Sequence, residues 1–148
     1  MTAMPDEIFL REHSALLAQS FERATGQRLP VDALTLYGAP FAVVSHGMQA
    51  DPVFNYANLF AQQLFGYAWE EFIALPSRLS ARAPERDERA RLLELVTRQG
   101  YIEDYAGIRV RRNGTLFRIS RATVWNVVDT GGVLHGQAAM FSDIEELQ

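Results

Sequence analysis

The side chains able to do chemistry are mostly neutral and polar. His46 closes one candidate strand and His135 opens another, while Asn55, Asn58, Asn126 and Gln137 are amides on or beside candidate strands. Imidazoles can ligate a metal or haem, but a transition-metal site generally needs three or four convergent ligands. The chain contains no cysteine, which excludes disulfides, thiolate metal sites, thiol nucleophiles and cysteine-dependent flavin adducts. His46 has a second reading, as the residue that caps the tight Ser45-His46-Gly47 turn. Glu103, Asp104 and His135 are the candidates for acid–base chemistry, yet no phosphate loop, nucleophile elbow or zinc-hydrolase motif accompanies them.

An amide buried without a partner costs a few kcal/mol, on the order of 1–3 for each group left unpaired, so these four must be satisfied. One solution is a pocket wall facing a polar ring or carboxylate on a small molecule. The other is structural: Asn55 and Asn58 tie a turn into a helix, with Asn58 as its N-cap. Asn126 and Gln137 stay open between the two. Strict alternation from Phe117 puts Phe117, Ile119, Arg121, Thr123, Trp125 and Val127 on one strand face. A charged Arg121 in that row suits either an anion contact, such as a ligand carboxylate, Glu103 or Asp104, or a solvated sheet edge. Trp125 could stack on a flat ligand, or serve the core or a dimer contact. Tyr56, Phe60, Leu64 and Phe65 either line a cavity or fill it completely.

Positioning such groups requires a recognisable order of elements. Ile8, Phe9, Ala15, Leu16, Phe21 and Ala24 make an amphipathic helix after Pro5-Asp6, stopped by Gly26. Phe41 to Ser45 and Val53 to Tyr56 read as a first hairpin, after which Leu59, Phe60, Leu64 and Phe65 share a helical face ended by Gly66-Tyr67. Trp69 to Phe72 opens another short helix. Pro76 and Pro84 bound an arginine-rich link with Glu85, Asp87 and Glu88, read as solvated, and Arg86 to Gln99 resumes helical spacing. Tyr101 to Arg111, Leu116 to Val128 and Val133 to Phe141 follow as strands, joined by Asn113-Gly114 and by the turn Asp129 to Gly132. Two strands, helices, then three strands give an α+β order in which the first hairpin joins the later meander in one antiparallel sheet.

Bulk properties fit one globular domain with an extension. The 148 residues are 48% hydrophobic and 22% charged with net charge −4, which disfavours a nucleic-acid surface. All 14 basic residues are arginine, a composition that suits phosphate or carboxylate recognition through the guanidinium fork but is better explained by the coding bias of an arginine-preferring genome. No basic leader with a long apolar run and no membrane-length segment is present, so a cytoplasmic location is expected.

The order of elements, Gly66-Tyr67 before Glu70-Glu71-Phe72, the Arg111-Arg112-Asn113-Gly114 turn and the closing Phe141-Ser142-Asp143-Ile144-Glu145 resemble a PAS domain. More narrowly, Tyr37 to Gly47 (YGAPFAVVSHG), Phe54 to Asn58 (FNYAN), Leu75 to Ser80 (LPSRLS) and Ala122 to Asn126 (ATVWN) resemble the MEKHLA domain, a PAS-like family, over roughly residues 33 to 145. The resemblance implies a PAS-like five-stranded antiparallel sheet with helices covering one face, an N-terminal helix in addition, and an output helix beginning near Asp143. It also places His46 and His135 on adjacent strands. The expected division is residues 1–30 as helix and hinge and 33–148 as the domain.

A small polar-aromatic ligand is then expected, with the binding set His46, Asn55, Tyr56, Asn58, Phe60, Leu64, Arg121, Trp125, Asn126 and Gln137. No catalytic or metal-binding residue is assigned, and the resemblance supplies no cofactor. The resulting expectation is a non-enzymatic sensory module, homodimeric, signalling to a separate protein partner. A ligand-free interaction module and a small acid–base enzyme of the cone-shaped α+β type are the alternatives.

Overall fold

A computed structural model describes residues 5–147; residues 1–4 of the expected segment 1–30 and residue 148 of the expected domain 33–148 lie outside the described residues. Asp6 caps helix α1 (Glu7–Thr25) by accepting from the Ile8 amide at 3.2 Å. A 3-10 turn (Ala33–Gly38) leads to strands β1 (Ala42–His46) and β2 (Phe54–Ala57), followed by α2 (Leu59–Phe65) and α3 (Trp69–Phe72). After a second 3-10 turn (Ser77–Ser80) come α4 (Ala83–Gln99), β3 (Tyr101–Val110), β4 (Leu116–Val128), β5 (Leu134–Phe141) and β6 (Asp143–Leu147). Helix α4 starts three residues before the sequence suggested, because Pro84 sits in its first turn. Proline loses nothing there, since amides in that turn have no intrahelical acceptor.

The sheet is antiparallel in the order β2-β1-β5-β4-β3, so the early hairpin does zip beside the late meander. A sixth strand departs from the five expected. Where the resemblance implied an output helix, β6 pairs with the first half of β4, matching Ile144 with Ile119 and Glu145 with Arg118. The reason lies in charge. Arg121 pairs with Asp143, Arg118 with Glu145 at 3.0 Å and Arg111 with Glu146 at 2.6 Å, so the acidic tail runs along an arginine-bearing strand.

The face assignment on β4 also needs correction. Arg121 has a left-handed backbone (φ 54°), where β4 changes partner from β6 to β5. This bulge shifts the alternation by one residue. Phe117 and Ile119 therefore share a core with Ala122 and Val124, whereas Trp125 and Val127 belong to a second core on the opposite face.

The first core lies between the sheet and α2, α3 and α4, with Phe65, Phe72, Leu92 and Val96 packed on Phe117, Ile119 and Phe141. In the second, Leu17 and Phe21 of α1 pack on Trp125 and Val127, Phe21 meeting Trp125 edge-on at 5.0 Å between ring centroids. Helix α1 is thus one wall of a core. Ser20 fastens it: its hydroxyl donates to the Asn126 carbonyl and accepts from the Val128 amide, both at 2.8 Å. Ser20→Ala is expected to cost about 1–2 kcal/mol in urea unfolding, and an unchanged midpoint would mean that α1 is not held there.

Candidate functional site

Register builds the site. His46 of β1 stands opposite Gln137 of β5, which stands opposite Asn126 of β4, so three polar residues form one cross-strand row. All three side chains face α4. Gln137 Nε2 donates to the Leu93 carbonyl at 2.9 Å, to Thr97 Oγ1 at 3.0 Å and to Asn126 Oδ1 at 3.1 Å, and Asn126 Nδ2 donates to the Val96 carbonyl at 3.1 Å. Those carbonyl acceptors orient both amides. Gln137 Oε1 is then left to accept from His46 Nε2 at 3.3 Å, so His46 carries its proton on Nε2 and its Nδ1 accepts from the Ser77 hydroxyl at 2.9 Å.

The sequence reading of His46 as a turn cap gives way to this relay, which runs from the second 3-10 turn through β1 and β5 into α4. His46 is 7% exposed. Burial, then the nearby Arg89 cation, pushes its pKa down to about 4 against the opposing Gln137 hydrogen bond, so it is neutral at neutral pH.

Beside the relay lies a cavity of about 60 Å³, bounded by His46 and Gln137 together with Phe54, Phe65, Leu92, Ile119 and Phe141. Arg89 of α4, and Tyr105 and Arg109 of β3, complete its wall. Neither arginine was singled out from the sequence. The signal was present, because Arg89 precedes Leu92, Leu93 and Val96 by three, four and seven positions, on the buried helix face, and Arg109 alternates in phase with Tyr105 and Gly107.

The remaining expected site residues do not converge here. Asn58 is fully buried and structural: its side chain accepts from the Val43 amide at 3.0 Å and the Ala61 amide at 3.1 Å, and donates to the carbonyls of Phe41 at 2.8 Å and Leu36 at 3.1 Å. Phe60 and Leu64 pack at the edge of the first core. Tyr56 and Trp125 lie in the α1 core, where Tyr56 Oη and Trp125 Nε1 lack partners among the described residues.

Asn55 accepts from the Ser45 hydroxyl, which in turn accepts from His13 Nε2 at 2.9 Å, a chain that joins β2 and β1 to α1. Burial, with a smaller contribution from His135, pushes His13 down to about 4. Arg121 is exposed, away from the cavity, and its anionic partner is Asp143 rather than Glu103 or Asp104. His135 donates to Asp129 at 2.8 Å and does not meet His46. Among the described residues no group of three or more His, Asp or Glu side chains could hold a metal ion, and no helix is long and apolar enough to cross a membrane.

Solved structures share this architecture. The PAS domain of a protein from Colwellia psychrerythraea matches with a TM-score of 0.66 and 17% identity, over 76% of this chain and 93% of that one. The light-state dimer of the fungal blue-light photoreceptor Vivid matches with a TM-score of 0.63 and 18% identity, over 86% and 91%. The PAS domain, in complex with ethanol, of a LuxR-family transcriptional regulator from Burkholderia thailandensis matches with a TM-score of 0.57 and 20% identity, over 74% and 96%. At these identities the likeness is one of fold. No curated protein matches the sequence. The sequence model of the MEKHLA domain matches residues 11–146, starting within α1 rather than near residue 33, and the chain belongs to the MEKHLA domain family.

Proposed function

We propose that the chain is a sensory PAS-like module, not an enzyme, that takes a small molecule into the cavity between the sheet and α4 and conveys occupancy to a separate partner protein. The observation that carries this reading is a cavity flanked by a buried hydrogen-bond relay leading from His46 through Gln137 to Leu93 and Thr97 of α4. A molecule held there contacts both the wall and the relay. It therefore favours one placement of α4 over the sheet, which is a population shift.

Size narrows the ligand. The cavity of about 60 Å³ is well below the roughly 150 Å³ of an engineered apolar cavity that accepts benzene. An aliphatic molecule of a few heavy atoms therefore fits better than the polar-aromatic one expected from sequence. The neighbouring PAS domain in complex with ethanol is a precedent for an occupant of that scale. A cytoplasmic location, a homodimer and a partner other than nucleic acid belong to the same proposal, the last supported by the net charge of −4.

The test is amide shift mapping by NMR with neutral and charged compounds of up to six heavy atoms, on a sample whose mass is first measured by light scattering. A dimer mass is expected, with shifts clustered at His46, Leu93, Tyr105 and Gln137. A monomer mass would remove the homodimer. Absence of shifts for every compound would remove the ligand and leave a module that works only by protein contact.

A further inference from the structure

We infer that the cavity is an anion site, and that its occupant is a short aliphatic monocarboxylate held by Arg89 and Arg109. This inference rests on the proposed ligand-binding role of the same cavity and adds the chemistry of what is bound. Two arginines from different elements line one largely apolar space. Arg109 is 7% exposed; it donates to the Ile108 carbonyl at 2.8 Å and to the Tyr105 hydroxyl at 3.2 Å. Neither arginine takes part in an ion pair among the described residues, although eight such pairs engage other side chains. Arg89 makes no side-chain hydrogen bond among them either.

The acidic residue beside Arg89 forms no ion pair with either arginine among the described residues. Glu88 accepts from the Tyr105 hydroxyl at 3.0 Å and reaches Arg109 only through that phenol. Burial, and then the charge of Arg109, pushes Arg89 down to about 10, so it remains a cation at neutral pH. Two like charges partly withdrawn from water are costly until an anion joins them, and a guanidinium offers a fork that matches a carboxylate.

Gly107 is fitted to this arrangement. A Cβ at that position would overlap the Tyr105 hydroxyl and lie 3.1 Å from Arg109 Nη1. The strand is thinned where phenol and guanidinium cross it.

The rest of the wall selects among anions. Phe54, Phe65, Leu92, Ile119 and Phe141 offer an acyl chain burial and offer a phosphate nothing. A cavity needs about 10–15 Å³ for each water it holds, so about 60 Å³ corresponds to roughly four waters. Propionate, with five heavy atoms, is of that size and joins a charged head to an apolar tail.

The test is calorimetric titration of the full chain with sodium propionate, propionamide, 1-propanol and inorganic phosphate at constant ionic strength. Propionate is expected to bind at one site at least tenfold more tightly than propionamide. Arg89→Met is expected to weaken propionate about tenfold or more while leaving propionamide unchanged, and Arg89→Lys to recover part of the loss. Arg89 is half-buried, and an unchanged thermal midpoint of the variants shows that the fold is intact. Should either variant unfold, the preference of the unmodified chain for propionate over propionamide decides the matter alone. Equal or tighter binding of propionamide or propanol overturns the anion assignment and keeps the ligand cavity; phosphate above propionate overturns the carboxylate class. No binding of any of the four overturns the inference, and shift mapping with the wider compound set then decides separately whether the cavity is a ligand site at all.

Discussion

Asn58→Ala is expected to lower the unfolding free energy by about 3–5 kcal/mol, read as a fall in the urea midpoint at unchanged slope. The fully buried amide serves four backbone groups, accepting from Val43 and Ala61 and donating to Leu36 and Phe41. It therefore ties β1, the 3-10 turn before it and the start of α2 to one point. Alanine leaves those groups without the partner the side chain gives them, and each buried group so exposed to loss costs about 1–3 kcal/mol. Asn55→Ala, which removes the acceptor of a single Ser45 hydroxyl bond, is expected to cost about 1 kcal/mol. Equal effects of the two substitutions would refute the structural role given to Asn58.

Stability is also expected to decline as pH falls from about 6.5 to about 4, with His46 contributing on the order of 3 kcal/mol. The native state holds this imidazole neutral, with a pKa lowered to about 4 first by burial and then by Arg89. The unfolded chain binds the proton near pH 6.5. Between those values the unfolded state carries more protons, so acid favours it; above 6.5 the contribution is complete, and below 4 no more is lost through this group.

His13, lowered to about 4 mainly by burial, acts in the same direction. Denaturant titrations across pH 7.5 to 4 in the unmodified chain and His46→Gln should differ in slope by about 1.4 kcal/mol per pH unit between pH 6.5 and 4, and not above 6.5. Parallel curves would mean that folding does not lower the His46 pKa.

Much of the scaffold was legible because local chemistry and long-range packing agree. The Asn113-Gly114 turn, the Asp129 to Gly132 turn and the amphipathic repeat of α1 each mark their element, and Asn58 caps α2 as its position suggests. The face of β4 was not legible. A left-handed arginine inside a strand leaves no trace in a period-two pattern, and the single bulge at Arg121 reverses where Trp125 points.

Strand β6 was hidden differently. Its carboxylates resemble a solvated tail until their arginine partners on β4 and in the preceding turn are placed beside them. The site was half legible. His46, Asn126 and Gln137 meet in one row, which the separate strands could not reveal without their register. Arg89 was obscured by its neighbourhood: Arg78 and Arg82 do form exposed pairs with Asp51 and Glu85, whereas Arg89 belongs to the helix face that carries Leu92 and Val96 inward.

The most direct measurement is a crystal structure of the full chain grown in the presence of propionate. The account predicts density for the molecule enclosed between the sheet and α4, its carboxylate against Arg89 and Arg109 and its carbon chain toward Phe141 and Ile119. Side chains packed solidly through that space, with propionate elsewhere or nowhere, would contradict it.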